Sequence, residues 1–380
     1  MSENLLEQSA VADNVARTPS KQHSHFQVLD GLRAIALISV LVHHYAPVLF
    51  AGGTPVRNFL LKIIDLGGLG VDLFFALSGF LITGILYDSL GESAYFRRFY
   101  WRRSLRIFPA YFAFLVPFLF KSHLFEHLSR WWFILYLRNW MGPDPISDNI
   151  LGHLWSLAVE EQFYIVWAAA VYLCSRRHLP WLILILSASA LLFRGEMIAV
   201  GYSRYDQLRF TPARIDGLLL GGFVAVAWRT YRWSVVKRWA FCCSMLSAAG
   251  FTAIFVWKGT LENRLAELIL PSLSAVFFAS IVALCLTVRK SFLTKPLLAS
   301  IAKYSYAMYL WHLVPHVFGQ RILKLVDHRS MEAILTVKLL YIPGLFLATY
   351  IISRVSWALI EAPFLSLKDW MYSRRTSLPT

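Results

Sequence analysis

The feature that most constrains this chain is a series of apolar blocks. Each is about 17–25 residues long, the length of helix that spans the roughly 30 Å hydrocarbon core of a membrane. Of the 380 residues, 57% are hydrophobic and 16% are charged, whereas soluble proteins average about 25% charged residues. Lipid offers no hydrogen-bond partners to the backbone, so helices are the simplest spanning structure. The sequence therefore predicts an all-α, polytopic helical membrane protein with about ten transmembrane helices.

The positions of the basic residues predict which loops face the cytoplasm. Lys and Arg cluster between apolar blocks, notably at 97–106, 176–177 and 229–238. An inside N-terminus places all three clusters in the cytoplasm, as membrane proteins prefer. The segment WWFILYLRNW (131–140) is too short to cross and is predicted to be interfacial or re-entrant. The predicted spans are 31–50, 67–88, 105–121, 154–175, 180–199, 212–228, 238–257, 265–287, 299–320 and 335–359.

One membrane domain is predicted over residues 28–365, in the cytoplasmic (inner) membrane with both termini in the cytoplasm. A polar, disordered tail (1–27) precedes it and a cytoplasmic C-terminal tail (366–380) follows it. The net charge of +15 lies in short loops beside the spans, which favours the lipid bilayer and an anionic cytoplasmic ligand over nucleic acid. The four cysteines lie inside apolar blocks without metal-ligand spacing, so no bound metal is predicted.

The first apolar block, LDGLRAIALISVLVHHY, carries ionisable groups at both ends. On a helix, Arg33 and His44 face within about 20° of each other and lie roughly 16 Å apart along the axis. Asp30 lies within about 60° of this stripe, and His43 points to the side. Central charges cost about 2.5–3.5 kcal/mol each on insertion, so they normally face a cavity or a partner. A snorkelling Arg33 and a packed, hydrogen-bonded His44 are the structural alternatives.

Three further segments place ionisable groups at or within apolar blocks. Asp72 lies in GGLGVDLFFALSGFLIT, where an unpaired carboxylate would be costly. Arg103 and Arg106 are three residues apart, hence on one helical face, and Arg106 runs directly into a span. HLWSLAVEEQFYIVW brings two adjacent carboxylates, Glu160 and Glu161, into another span. These groups alone are compatible with an enzyme and with a polytopic transporter or a lipid or glycan flippase.

Seven motifs in series carry a resemblance to a known family. They are LDGLRAIALISVLVHH, GVDLFFALSGFLI, RRSLRIFPAY, LWSLAVEEQFY, RIDGLLLGG, SYAMYLWH and IEAPF, in this order. The series resembles acyltransferase family 3, the integral membrane O-acyltransferases, over about residues 28–365. Some members carry an additional SGNH-type domain after the last span. This chain is expected to lack one, so a two-stage relay would need a separate protein.

The resemblance implies transfer of an acetyl or other short acyl group from cytoplasmic acyl-CoA to a hydroxyl of a carbohydrate or glycolipid, as in surface polysaccharides. It selects His44 over His43 as general base, with a covalent acyl carrier as the alternative, and it makes Glu160 the second catalytic residue. The resemblance further implies acyl-CoA, with acetyl-CoA as the first expectation, as the donor substrate and no bound cofactor. The implied acyl-CoA-binding residues are Arg33, Arg103 and Arg106. The implied cavity-supporting residues are Asp30, Asp72, Ser156, Tyr164, Asp216 and His312.

Overall fold

The computed structural model describes six stretches of the chain, and within them all regular structure is helical. The described residues are 26–50, 55–125, 129–258, 264–288, 290–326 and 331–373. The predicted N-terminal tail lies outside them, except for its last two residues, as does the end of the predicted C-terminal tail. The longer helices are α1 (Gln27–Tyr45), α2 (Pro55–Asp65), α3 (Gly70–Asp88), α4 (Tyr95–Leu119), α5 (Leu154–Leu173), α6 (Leu179–Val200), α7 (Thr211–Thr230), α8 (Trp233–Lys258), α9 (Arg264–Cys285), α10 (Pro296–Lys303), α11 (Ser305–Trp311), α12 (Leu313–Val326), α13 (Met331–Ser356) and α14 (Ala362–Ser373).

Six helical stretches of the described chain are long and apolar enough to cross a membrane. They are Gln27–Leu49, Val56–Asp88, Leu179–Val200, Arg204–Thr230, Arg264–Cys285 and Val337–Leu367. The predicted all-α, polytopic architecture is confirmed. The count of about ten stays a prediction, because helices such as α4 have the length to span, at 25 residues, but carry several arginines.

Proline and glycine set many of the helix boundaries. Pro180, Pro212 and Pro296 lie in the first turns of α6, α7 and α10, where a missing N–H costs no helical hydrogen bond. Helix α6 ends at Gly201, whose φ of 92° is left-handed. Glycine adopts this conformation without a steric penalty, so it stops the helix cleanly.

The centre of the bundle is a close contact between α3 and α7. A Cβ atom on Gly79 would lie 1.8 Å from the Leu218 carbonyl oxygen, and one on Gly221 would lie 2.0 Å from the Ala76 carbonyl oxygen. The backbones therefore approach as closely as small residues allow, the packing mode that membrane helices favour. Helix α7 also packs against α6 and α9, and α1 packs against α3 and α10.

The segment between α4 and α5 folds back on the bundle in short turns. It contains a helix of four residues (Trp131–Ile134) and a 3-10 turn (Arg138–Trp140). These pieces are too short to cross a membrane, as predicted. Gln162 of α5 anchors them, because its Nε2 donates to the Tyr136 carbonyl oxygen (2.7 Å) and to Asn139 Oδ1 (2.8 Å).

The predicted span 299–320 is a single helix in the sequence analysis but three helices in the structure. α10, α11 and α12 meet at Tyr304 and His312. Pro315 explains the second interruption, because it has no N–H to donate to the carbonyl of Trp311, four residues earlier. The interruption places His312 at a junction inside the bundle, where it is fully buried.

Candidate active site

Helix α1 carries the predicted stripe of ionisable residues without interruption. Near its start, Arg33 Nη1 lies 3.7 Å from Asp30 Oδ1. Near its end, His44 Nδ1 lies 2.8 Å from the Val40 carbonyl oxygen. A carbonyl only accepts hydrogen bonds, so Nδ1 carries the proton of the neutral ring and Nε2 keeps its lone pair. His44 is therefore held with an unprotonated nitrogen free to act as a base.

The neighbouring His43 points to different surroundings. Its Nδ1 lies 3.5 Å from Asp65 Oδ1, at the end of α2. Its ring also lies against Gly68, where an added Cβ atom would meet ring atoms at 3.6–3.8 Å. The 100° step of the helix thus separates the two histidines, and their different roles stay a prediction.

Three arginines from two helices form a cluster near the start of α1. Arg33, Arg103 and Arg106 act electrostatically on one another, and we call them the arginine cluster. The guanidinium carbon of Arg103 lies 4.2 Å from the centroid of the Tyr164 ring, which links the cluster to α5. Forked guanidinium groups suit phosphate oxygens. The structure brings the three predicted donor-binding residues together, which is what their predicted role requires.

Glu160 lies beside the arginine cluster and is held by two hydroxyl groups. Ser78 Oγ donates to its Oε1 at 2.8 Å, and Tyr164 OH donates to its Oε2 at 3.0 Å. Arg33 and Arg103 both act electrostatically on it. Glu161, the next residue, is buried and is acted on mainly by Arg103. The predicted functional difference between the two carboxylates remains open.

A group of imidazole rings surrounds the end of α1. His312 lies with its ring centroid 4.8 Å from that of His44 and 4.9 Å from that of His153; we call these three the histidine cluster. His312 Nδ1 contacts the Tyr309 carbonyl oxygen at 2.7 Å. Its buried Nε2 has no hydrogen-bond partner among the described residues. Ser156 Oγ lies 2.6 Å from Tyr309 OH, so this predicted residue supports the cluster from α5.

A polar cavity of about 220 Å³ lies against His44. Side chains from the segment before α5, from the loop before α7 and from α12 line it. Besides His44, the lining includes Asp148, His153, Trp155, Arg209, His316 and Gln320. The cavity lies at the end of α1 opposite to Arg33, roughly 16 Å away along the helix axis. Helix α1 therefore connects a cationic site at one end to a polar cavity at the other.

Asp72 and Asp216, predicted to support the cavity, each form a buried ion pair. Asp72 pairs with Arg214, and Asp216 Oδ2 lies 2.9 Å from Arg194 Nη2. Ser272 also donates to Asp216 Oδ2, at 2.9 Å. These contacts join α3, α6, α7 and α9, so any support they give to the cavity acts through packing. The sequence analysis did not name the two arginines, although a charge within an apolar block signals a partner.

Three cavity residues, His153, Arg209 and His316, were also missed. They belong to separate segments of the chain, and only tertiary packing brings them to His44. His153 directly precedes α5, Arg209 lies in the loop before α7, and His316 lies in α12. Across the described part of the chain, no group of three or more His, Cys, Asp or Glu side chains is placed to hold a metal ion.

The buried ion pairs, the arginine cluster and the histidine-lined cavity define a polytopic membrane protein with an ionisable site inside the helical bundle. The model of the acyltransferase domain of family 3 matches residues 26–358. The chain therefore belongs to acyltransferase family 3. The family predicted from the motif series is confirmed.

Curated relatives match most of this chain. The peptidoglycan O-acetyltransferase OatA of Listeria monocytogenes is 29% identical over 91% of the chain and 57% of the relative. The O-acetyltransferase OatA of Staphylococcus aureus is 27% identical over 88% of the chain and 56% of the relative. The chain thus spans little more than half the length of these relatives. No solved structure matches it at a significant level.

Proposed function

We propose that the protein transfers an acetyl or other short acyl group from cytoplasmic acyl-CoA to a hydroxyl group of a carbohydrate or glycolipid acceptor. His44 is the general base, Glu160 is the second catalytic residue, and the arginine cluster binds the donor. Membership of acyltransferase family 3 and the activities for which the two relatives are named support this proposal. The peptidoglycan named for the Listeria relative makes a cell-envelope glycan the first acceptor to test.

The observation that carries the proposal is the state of His44. Its Nδ1 proton is committed to the Val40 carbonyl oxygen, and its ring lines the polar cavity. A neutral imidazole with an unprotonated Nε2 can accept the proton of an acceptor hydroxyl, which is what general-base catalysis requires. A histidine with only a packing role would not require a polar cavity beside its ring.

In the proposed reaction, the acceptor hydroxyl gives its proton to His44 Nε2 while its oxygen attacks the thioester carbonyl carbon. Collapse of the tetrahedral intermediate breaks the carbon–sulfur bond. The departing thiolate then takes the proton from the imidazolium, which yields the O-acyl ester and free CoA. In the covalent alternative, Nε2 attacks the thioester itself, so CoA leaves before the acceptor reacts.

The two ends of α1 suit two substrates that arrive from opposite sides. CoA carries several phosphate charges, and Arg33, Arg103 and Arg106 offer planar, permanently charged donors for them. With both termini in the cytoplasm, this end of the bundle faces the cytoplasm and the cavity faces outwards. The roughly 16 Å between Arg33 and His44 then has to be covered by the pantetheine arm of the donor.

Purified protein in detergent, incubated with radiolabelled acetyl-CoA, tests the function. Release of CoA that depends on His44 and rises when envelope glycan is added is expected for an acyltransferase. A burst of CoA release before any acceptor is added would select the covalent alternative. Intact acetyl-CoA after prolonged incubation with glycan, with labelled substrate instead crossing the membrane of proteoliposomes, would contradict the enzyme and favour a transporter. Mass spectrometry of surface glycans from cells with and without the protein identifies the acceptor.

A further inference from the structure

Two arginines beside the cavity, Arg138 and Arg209, share a single carboxylate, that of Asp148. The carboxylate of Asp148 already contacts Arg138, and its Oδ2 accepts from Tyr205 OH at 2.9 Å and from the Asp144 backbone N–H at 3.1 Å. Arg209 approaches this carboxylate only to 4.0 Å. Arg138 is therefore the closer counterion of Asp148, and Arg209, which lines the cavity, keeps only the longer ion pair at 4.0 Å.

Arg209 is held in place while most of its donors remain free. Its guanidinium carbon lies 3.5 Å above the Tyr205 ring centroid, and its Nη1 donates to Tyr205 OH. Asn139 Nδ2 donates to the Arg209 carbonyl oxygen at 3.2 Å, which fixes the loop. Guanidinium has five N–H donors, and no other hydrogen bond from this side chain is formed to the described residues. A rigid fork with free donors is suited to a planar or tetrahedral oxyanion.

The rest of the lining fits one sugar ring. Trp155 provides an aromatic surface, and its ring centroid lies 5.8 Å from the Arg209 guanidinium carbon. Gln320 and His316 provide polar atoms on the opposite wall, 3.0 Å from each other. The volume of about 220 Å³ lies below the roughly 300–1,000 Å³ typical of pockets for drug-sized ligands. The cavity therefore suits a single ring better than an oligosaccharide.

We propose that this cavity is the acceptor subsite and that Arg209 selects an acceptor sugar carrying an oxyanion, either a carboxylate or a phosphate. The sugar ring lies along Trp155, the oxyanion binds the Arg209 fork, and the hydroxyl to be acylated faces His44 Nε2. The inference rests on the proposed function and deepens it, because a neutral sugar offers Arg209 hydroxyl acceptors but no negative charge, and hydrogen bonds between two charged groups are the stronger ones.

The test uses envelope glycan from cells that lack the protein, divided into three portions. One portion is left untreated, one has its carboxylates reduced to alcohols, and one has its phosphates removed. Purified protein and labelled acetyl-CoA are added to each. A loss of acyl transfer of about 10–100-fold is expected for one treated portion, the scale of a hydrogen bond to a charged group. The portion that loses transfer identifies carboxylate or phosphate as the oxyanion.

Variants assign this selectivity to Arg209. Arg209→Gln should lose transfer to the untreated glycan by a similar factor. It should not lower further the residual transfer to the treated portion, because the oxyanion is already absent there. Arg209→Lys should lose less. Arg204→Gln is the matched control, since Arg204 lies in the same loop but does not line the cavity. Acetyl-CoA affinity reports folding of each variant and should not change.

Two results would overturn the inference while leaving the acyltransferase intact. One is equal transfer to all three portions, and the other is an Arg209→Gln protein with parental selectivity. Absence of both CoA release and transfer with untreated glycan would instead refute the proposed function, and the acceptor subsite with it.

Discussion

The rings of His44 and His312 meet edge to face with 4.8 Å between their centroids, and each contacts a backbone carbonyl of its own helical segment through Nδ1. In the neutral form of each ring, Nε2 is therefore the unprotonated nitrogen. Of the two, only His44 belongs to the lining of the polar cavity, whereas His312 is fully buried behind it. The geometry thus distinguishes a histidine that borders the cavity from one that lies buried behind it.

Replacing His44 tests the base directly. His44→Ala should lower acyl transfer by about 10²–10⁴-fold, the usual cost of a lost general base, while acetyl-CoA binding at the arginine cluster is retained. His43→Ala is the matched control and should be mild, since that ring contacts Asp65 rather than the cavity. Transfer rates in detergent, normalised to folded protein, give the comparison. If a well-folded His44→Ala protein transferred acyl groups at the parental rate, the ionisable residues along this face of α1 would have only a structural role.

The adjacent carboxylates of α5 allow a second matched comparison. Glu160→Gln should abolish most transfer, because the amide cannot keep both hydroxyl donors and removes the negative charge beside the arginine cluster. Glu161→Gln should retain more activity. Steady-state rates with acetyl-CoA and envelope glycan measure both. Equal losses in the two variants would leave Glu160 without a special role.

The sequence predicts those parts of the site whose residues lie close together in the chain, and it predicts contacts between distant segments poorly. The relation of Arg33 to His44 follows from helical geometry alone, so the stripe on α1 could be derived. The donors to Glu160 come from Ser78, far away in sequence, and from Tyr164, one turn along α5. Only the second could have been derived from spacing.

The cavity could not be predicted from residue patterns, because its walls come from distant segments. In the sequence, the short loop with Arg209 resembles any positively charged turn. Only the structure shows that Tyr205 and Asp148 lie beside Arg209. The ion pair of Arg194 with Asp216 could have been predicted from the sequence, since each charge lies in or beside a predicted span and requires a partner. Pro315 likewise signalled the interruption at His312, although the sequence analysis treated that span as continuous.

Donor binding should depend on Arg103 and Arg106, the two arginines of α4 that belong to the arginine cluster. Arg103→Ala and Arg106→Ala should each weaken acetyl-CoA binding, and lysine should restore it only in part because it lacks the planar fork. Arg97→Ala is the control, since Arg97 lies on the same helix but is not part of the arginine cluster. Isothermal titration with acetyl-CoA, after size-exclusion chromatography confirms folding, measures the affinities. Unchanged affinity in both the Arg103→Ala and the Arg106→Ala variants would remove the arginine cluster from the donor site.

Membrane orientation is testable with single cysteines in a cysteine-free background. A cysteine at position 97 should be labelled by a membrane-impermeant reagent only after the cells are opened, because the basic segment 97–106 is predicted to be cytoplasmic. A cysteine at Asn149, which lines the cavity, should be labelled in intact cells. The reverse pattern would invert the predicted topology and place the acceptor cavity on the cytoplasmic side.

The buried ion pair between α6 and α7 should contribute strongly to stability. Arg194 is fully buried and contacts Asp216 at 2.9 Å, so Asp216→Asn leaves a buried guanidinium without its counterion. Breaking such a pair by removing one charge costs about 3–5 kcal/mol. Loss of the pair should therefore lower the midpoint of thermal unfolding in detergent and weaken the packing of α6 against α7.

Asp88→Asn is the matched control for this prediction. Asp88 pairs with Arg229 at 2.6 Å, but 40% of the Asp88 side chain and 24% of the Arg229 side chain are exposed. Exposed pairs contribute about 0–1 kcal/mol, because water and salt screen the attraction. Unfolding followed by intrinsic fluorescence at low and high salt should show a large, nearly salt-independent loss for Asp216→Asn and a small, salt-sensitive one for Asp88→Asn. Equal losses in the two variants would mean that burial adds nothing to the inner pair, and that close backbone packing between α3 and α7 holds this part of the bundle together.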